Sequence, residues 1–164
     1  MTADPETWTA LPNIDRLCFA CGTENRCGLK MTFTTNGKRL RSLITLPDYT
    51  RGWHNLVHGG ILATVLDETM SWTAIHFGKG FILTKNINII FRKPVFIGTA
   101  LTVYGEILAR KNKVLRLKAE VRDPDNIVCC SGEGDFVLFD NNEFARLRLI
   151  PPEFMQEMEE LFRT

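Results

Sequence analysis

The sequence predicts an α+β fold in which one buried helix lies against a mostly antiparallel sheet. Three observations carry this. Residues 59–77 form the only long helical pattern in the middle of the chain, and it is apolar over most of its circumference. Two strand patterns precede it and four follow it. Finally, the segments between the strands are short turns such as Asn36-Gly37, Lys111-Asn112-Lys113 and Asp123-Pro124-Asp125-Asn126, which suit antiparallel neighbours.

In chain order, residues 1–28 are irregular and read as an N-terminal arm. Leu29–Thr35 and Arg39–Leu46 read as strands around the Asn36-Gly37 turn, and Pro47-Asp48 opens a loop to His58. The helix then runs from Gly59 to Phe77 and stops at Gly78-Lys79-Gly80. Ile61, Leu62, Val65, Leu66, Met70, Trp72 and Ile75 fill its apolar arc. The remaining arc holds Ala63, Thr64, Asp67, Ser71 and Ala74, small residues around one carboxylate.

Phe81–Lys93 alternates. Phe81, Leu83, Ile87, Ile89 and Phe91 are expected on one face, and Thr84, Asn86, Asn88 and Arg92 on the other. Ala100–Arg110 and Val114–Arg122 read as a hairpin, with Leu115, Leu117, Ala119 and Val121 inward and Arg116, Lys118, Glu120 and Arg122 outward. Ile127–Phe139 is the last strand. Pro151-Pro152 opens a C-terminal helix, so the expected organisation is an arm (1–28), a central domain (29–150) and a terminal helix (151–164). A sheet of about six strands around one helix leaves an edge to protect, and self-association would protect it.

The totals narrow the function. A net charge of +1 from 20 basic and 19 acidic residues disfavours a nucleic-acid binder. No apolar run is long enough for a transmembrane helix, and MTADPETWTALPN lacks the pattern of a signal peptide. Five cysteines, an odd number, fit reduced thiols in a cytoplasmic protein. Cys18-x-x-Cys21 with Cys27 invites a zinc reading, with His54 or His58 required as fourth ligand. Buried thiols or local folding of the arm are the simpler expectation, and no metal is expected. Trp53 suits either a pocket wall or a loop anchor, and Cys129-Cys130 suit packing.

The chemistry-bearing stretch is His58-Gly59-Gly60 followed, nine residues after the histidine, by Asp67. Glycines at a helix N-terminus let a substrate approach backbone N–H groups that the helix dipole assists in holding an oxyanion. Gly59 and Asp67 are separated by about 12 Å along the helix. One carbonyl cannot reach both in a single chain unless the substrate spans that length, whereas two antiparallel copies of the helix would bring them together. Glu68 is the competing carboxylate.

HGGILATVLDE followed by TKNINIIFRKP resembles the PaaI-type hotdog thioesterases over roughly residues 18–139. CFACGTENRCGL, residues 18–29, is similar to the CFxCGxxNxxGL segment of one branch. The resemblance implies a hotdog fold and hydrolysis of acyl-CoA thioesters at interfaces of a homodimer or tetramer. No separate cofactor is implied, since CoA belongs to the substrate. It implies Asp67 as nucleophile or general base, Gly59 and Gly60 at the oxyanion end, His58 orienting the site, and Thr84 positioning water or the carboxylate. Arg92 and Lys93 fall at basic positions near the CoA phosphates, with Lys111 and Lys113 as further candidates. Where some members carry an Asn six residues before the histidine, this chain has Gly52, and Asn55 is the nearest substitute. A hotdog hydratase or dehydratase and a non-catalytic acyl-CoA binder or sensor are the alternative functions.

Overall fold

A computed structural model describes residues 7–163; residues 1–6 of the expected arm and Thr164 of the expected terminal helix lie outside the described residues. The elements are β1 (Thr9–Ala10), β2 (Thr34–Thr35), β3 (Leu40–Thr45), α1 (Gly59–Gly78), β4 (Phe81–Phe91), β5 (Ala100–Lys111), β6 (Val114–Arg122), β7 (Val128–Phe139), α2 (Asn141–Leu147) and α3 (Pro152–Arg163). The strands form one seven-stranded antiparallel sheet in the order β1-β2-β3-β5-β6-β7-β4. This is the expected α+β architecture. The long helix crosses one face of the sheet, and β4 forms its far edge.

Helix α1 ends where Lys79 takes a left-handed conformation and returns its N–H to Ile75. Val65, Leu66 and Met70 are fully enclosed between helix and sheet. The inward row of β6, Leu115, Leu117, Ala119 and Val121, meets them as its alternation requires. The outward row forms ion pairs, among them Arg116 with Glu133 at 3.1 Å and Arg122 with Glu120 at 2.6 Å.

The structure corrects four expectations about the elements. Leu29–Thr35 is a strand only at Thr34–Thr35. Leu29, Met31 and Phe33 are buried in alternation, but their partners lie in the arm: Leu29 N–H donates to Phe19 O and Met31 N–H to Ala20 O, both at 2.9 Å. Residues 9–10 add a strand that the sequence did not signal. Helix α2 was also missed, although Asp140 and Glu143 form a complete capping box.

The fourth correction concerns β4. Its register slips between Thr84 and Asn86, where a bulge leaves Lys85 without a partner. Strict alternation therefore fails. Ile82, Thr84, Ile87, Ile89 and Phe91 face α1, while Phe81 and Leu83 turn to the other side with Asn86 and Asn88. Phe81 stacks there on Phe144 of α2, with ring centroids 4.5 Å apart.

Helix α1 lies close against the sheet at Gly105 of β5. A Cβ there would lie 2.2 Å from Thr73 Oγ1 and 3.0 Å from Thr69 Cγ2. Gly105→Ala is expected to cost about 1–3 kcal/mol by overpacking, read as a lower urea midpoint. Thr73→Ala in the same chain should recover part of that loss, so that the two changes are non-additive.

Candidate active site on helix α1

Asp67 projects from the middle of α1, in the half-exposed stripe formed by Ala63, Thr64, Asp67 and Ser71. Ala74, expected in the same stripe, is instead fully buried. The bulge in β4 turns Thr84 toward this stripe, and its Oγ1–H donates to Asp67 Oδ1 at 2.9 Å. The family resemblance implied that Thr84 positions water or the carboxylate, whereas strand alternation placed Thr84 on the face away from the apolar row. The extra residue in the bulge removes that conflict.

Burial holds the Asp67 carboxyl above its ordinary range, and the Thr84 hydrogen bond partly offsets this. The direction suits a carboxylate with unusual affinity for a proton, as a general base or an activated nucleophile requires.

At the head of α1, His58 is the N-cap, and its Nδ1 accepts the Gly60 N–H at 2.9 Å. In the neutral ring the proton is then on Nε2. This corrects the reading of Gly60: its N–H is occupied by His58, which leaves the Gly59 N–H as the donor at the helix mouth. A Cβ on Gly59 would meet Phe91 Cζ at 3.6 Å, an ordinary contact. Packing within the chain therefore does not require glycine there.

A groove of about 280 Å³ opens at this mouth, lined by Leu56, Val57, Gly59, Leu62, Phe91, Arg92, Lys93, Pro94 and Val95. Arg92 donates from Nη1 to Ser131 Oγ at 2.6 Å, and Lys93 forms an ion pair with Asp123. The fold thus brings Gly59, Arg92 and Lys93 together.

Asn55 lies near the tip of the preceding loop, where its carbonyl accepts the Ile97 N–H at 2.9 Å. Trp53 on that tip is 86% exposed. Lys111 and Lys113 are not brought to the groove. They sit at the β5–β6 turn, at the other end of α1, where Leu115 packs on Gly78 and Lys113 pairs with Glu143.

Glu68 points away from Thr84, toward the arm. It accepts from Trp72 Nε1 at 3.0 Å and from Cys18 Sγ at 3.6 Å, and burial pushes its carboxyl up to about 7. Adjacent carboxylates on one helix thus serve two different surroundings, and only Asp67 faces β4.

A long helix cradled by an antiparallel sheet, with a carboxylate midway and a His-Gly mouth, defines a hotdog-fold protein. Residues 54–130 match the sequence profile of the Thioesterase superfamily. Among curated relatives, the acyl-coenzyme A thioesterase THEM4 of Bos taurus is 29% identical over 109 residues, 65% of this chain and 44% of that protein. THEM4 of Rattus norvegicus is 26% identical over 95 residues, 58% of this chain and 40% of that protein. The chain spans less than half the length of these relatives. Protein RHA08564, a thioesterase superfamily member, superposes with a TM-score of 0.69 at 25% identity, covering 74% of this chain and 60% of that one. The E. coli PaaI protein superposes with a TM-score of 0.62 at 16% identity, covering 68% of this chain and 80% of that one. Among the described residues no helix is long and apolar enough to cross a membrane.

The raised Asp67 pKa has a consequence for stability. A carboxyl whose folded pKa exceeds its unfolded value binds its proton more tightly when folded. The penalty for ionising it is absent below the unfolded pKa and complete above the folded one. Asp67→Asn should therefore melt at a higher temperature than the wild type at neutral pH. The gap should close as pH falls into the ordinary carboxylate range, as followed by thermal melts across pH.

Proposed function

We propose that the protein hydrolyses acyl-CoA-type thioesters to a free acid and a thiol, with Asp67 as the catalytic carboxylate. The observation that carries this reading is the Thr84–Asp67 hydrogen bond on a half-buried helix stripe, with the carboxyl held above its usual range. The superfamily match and the THEM4 relatives support the same chemistry.

A thioester carbonyl is electrophilic and its thiolate leaves readily, so one carboxylate and one oxyanion donor suffice. Asp67 acts in its ionised form, as nucleophile or as base toward water. Thr84 holds one oxygen and so fixes the direction of the other. The Gly59 N–H, at the positive end of the helix, polarises the carbonyl oxygen. Coenzyme A is the thiol that suits the groove: Phe91 and Leu62 offer an apolar wall, and Arg92 and Lys93 offer cations for its phosphates. A Streptococcus mutans structure that superposes on this chain is bound to acetyl-CoA.

Gly59 and Asp67 of one chain are about 12 Å apart along α1. The reading therefore includes a second copy related by a two-fold axis, with the Gly59 of one chain serving the Asp67 of the other. Strand β4 supports it. This eleven-residue strand ends the sheet, and Leu83, Ile90 and Phe91 on it are exposed. Chains joined there would set their helices side by side.

Thiol release from a panel of acyl-CoAs tests the activity. Asp67→Ala should lower the rate by about 10²–10⁴-fold while circular dichroism stays unchanged. Binding without turnover of any acyl group, or hydration of crotonyl-CoA without thiol release, would count against hydrolysis. The shared site has its own test. Gly59→Val and Asp67→Asn chains should each be inactive alone. Unfolded and refolded together, they should regain roughly a quarter of wild-type activity, since half of the dimers are mixed and each keeps one of two sites. No regain would place both groups within one chain.

A further inference from the structure

A second cluster of reactive side chains lies on the other side of α1 from Thr84. Cys18 and Cys21 of the arm and Glu68 of α1 bring two sulfurs and a carboxylate oxygen within 4.8 Å of one another. Cys18 Sγ stands 3.6 Å from Glu68 Oε1. In a tetrahedral zinc site, with Zn–S about 2.3 Å and Zn–O about 2.1 Å, sulfur and oxygen ligands lie about 3.6 Å apart. Two sulfurs would lie only slightly further apart, so the Cys18–Glu68 pair already has the spacing of a formed site and Cys21 Sγ needs to move by no more than about 1 Å.

The backbone is shaped for the same purpose. The chain turns tightly after Cys18, with Gly22 N–H donating to Cys18 O at 2.9 Å. The Cys21 N–H points at Cys18 Sγ at 3.5 Å. A Cβ at position 22 would lie 2.5 Å from both Cys18 O and Arg16 O, so only glycine fits the turn. Asn13 Oδ1, 3.9 Å from Cys21 Sγ, offers a neutral oxygen beside the cluster.

Charge points the same way. The adjoining cavity, about 230 Å³, is lined by Asp15 together with the two cysteines and Glu68. None of its described lining residues is Lys, Arg or His, and its remaining wall is largely apolar, with Trp72, Ile75 and Met158. Anionic donors gathered in a partly buried pocket without a counter-charge are costly to ionise. A divalent cation would neutralise them.

We propose that Cys18, Cys21 and Glu68 form a zinc site that pins the N-terminal arm to α1, with Asn13 or water as fourth ligand. Thiolate sulfur with one carboxylate oxygen is a donor set suited to Zn²⁺ rather than to Mg²⁺ or Ca²⁺. Binding requires both cysteines as thiolates and Glu68 as carboxylate, so the metal displaces whatever protons these three groups still hold. The third cysteine of the sequence motif is not a ligand: Cys27 is exposed and lies outside the cluster. The site does not depend on the proposed hydrolysis, and none of its tests reads turnover.

The experiment uses the full chain, reduced and stripped of metal, with Co²⁺ as probe. One Co²⁺ should bind per chain with a thiolate-to-cobalt charge-transfer band, and Zn²⁺ should displace it. Cys18→Ser and Cys21→Ser should each weaken or abolish that band, while Cys27→Ser and Asp67→Asn keep it. Glu68→Gln should weaken Zn²⁺ binding, measured against a chromophoric chelator, by at least about tenfold. A reduced wild-type chain that gives no such band overturns the proposal, whether or not the oxidised chain forms a Cys18–Cys21 disulfide. So does a band that survives both Cys18→Ser and Cys21→Ser.

Discussion

Everything in this molecule is arranged around the burial of α1 against the sheet. Leu62, Val65, Leu66 and Met70 give up their contact with water to pack against it. Thr69 and Thr73 approach so closely that β5 carries glycine opposite them. Both threonine hydroxyls turn back to helix carbonyls, Thr69 to Val65 O at 2.8 Å and Thr73 to Thr69 O at 2.6 Å, which keeps buried oxygen satisfied in an otherwise apolar seam. A helix so committed on one side can present chemistry only along what is left: its mouth, the small-residue stripe and the face beneath the arm.

The two carboxylates of α1 show how that remaining surface is divided. Consecutive residues on a helix point about 100° apart. Asp67 therefore reaches the edge strand and Thr84, while Glu68 reaches Trp72 and the arm cysteines. Burial raises the proton affinity of both. The cause is shared, but the partners differ. Asp67 meets one neutral hydroxyl beside an open stripe. Glu68 meets an indole and two thiols, and the hydrogen bond from Cys21 draws the Cys18 thiol down to about 6. A hydroxyl that steadies one carboxylate oxygen suits acid–base or nucleophilic chemistry, and a clustered set of soft and hard donors suits a metal.

Much of this was legible in the sequence because it followed from local rules. The helical period, the glycine stop after Phe77, the hairpin at Lys111–Lys113 and the inward row of β6 each depend on neighbours a few residues apart. The His-Gly-Gly mouth and the spacing to Asp67 were legible for the same reason. What stayed hidden depended on partners far along the chain. Alternation in Leu29–Thr35 was real, but it could not say that the arm would take those N–H groups. Alternation in β4 could not show the bulge at Lys85, because a bulge is defined by the strand opposite. The capping box at Asp140–Glu143 was readable and was overlooked.

The sequence by itself determined the long buried helix, the four strands after it and most of the helix's small-residue stripe, because periodicity and turn chemistry act over single turns and strands. The tertiary structure decided which side chains meet. Seventeen residues separate Asp67 from Thr84, and fifty separate Cys18 from Glu68. No propensity acts over such distances. Only the crossing of α1 over the sheet, and the folding of the arm onto its other flank, close those gaps.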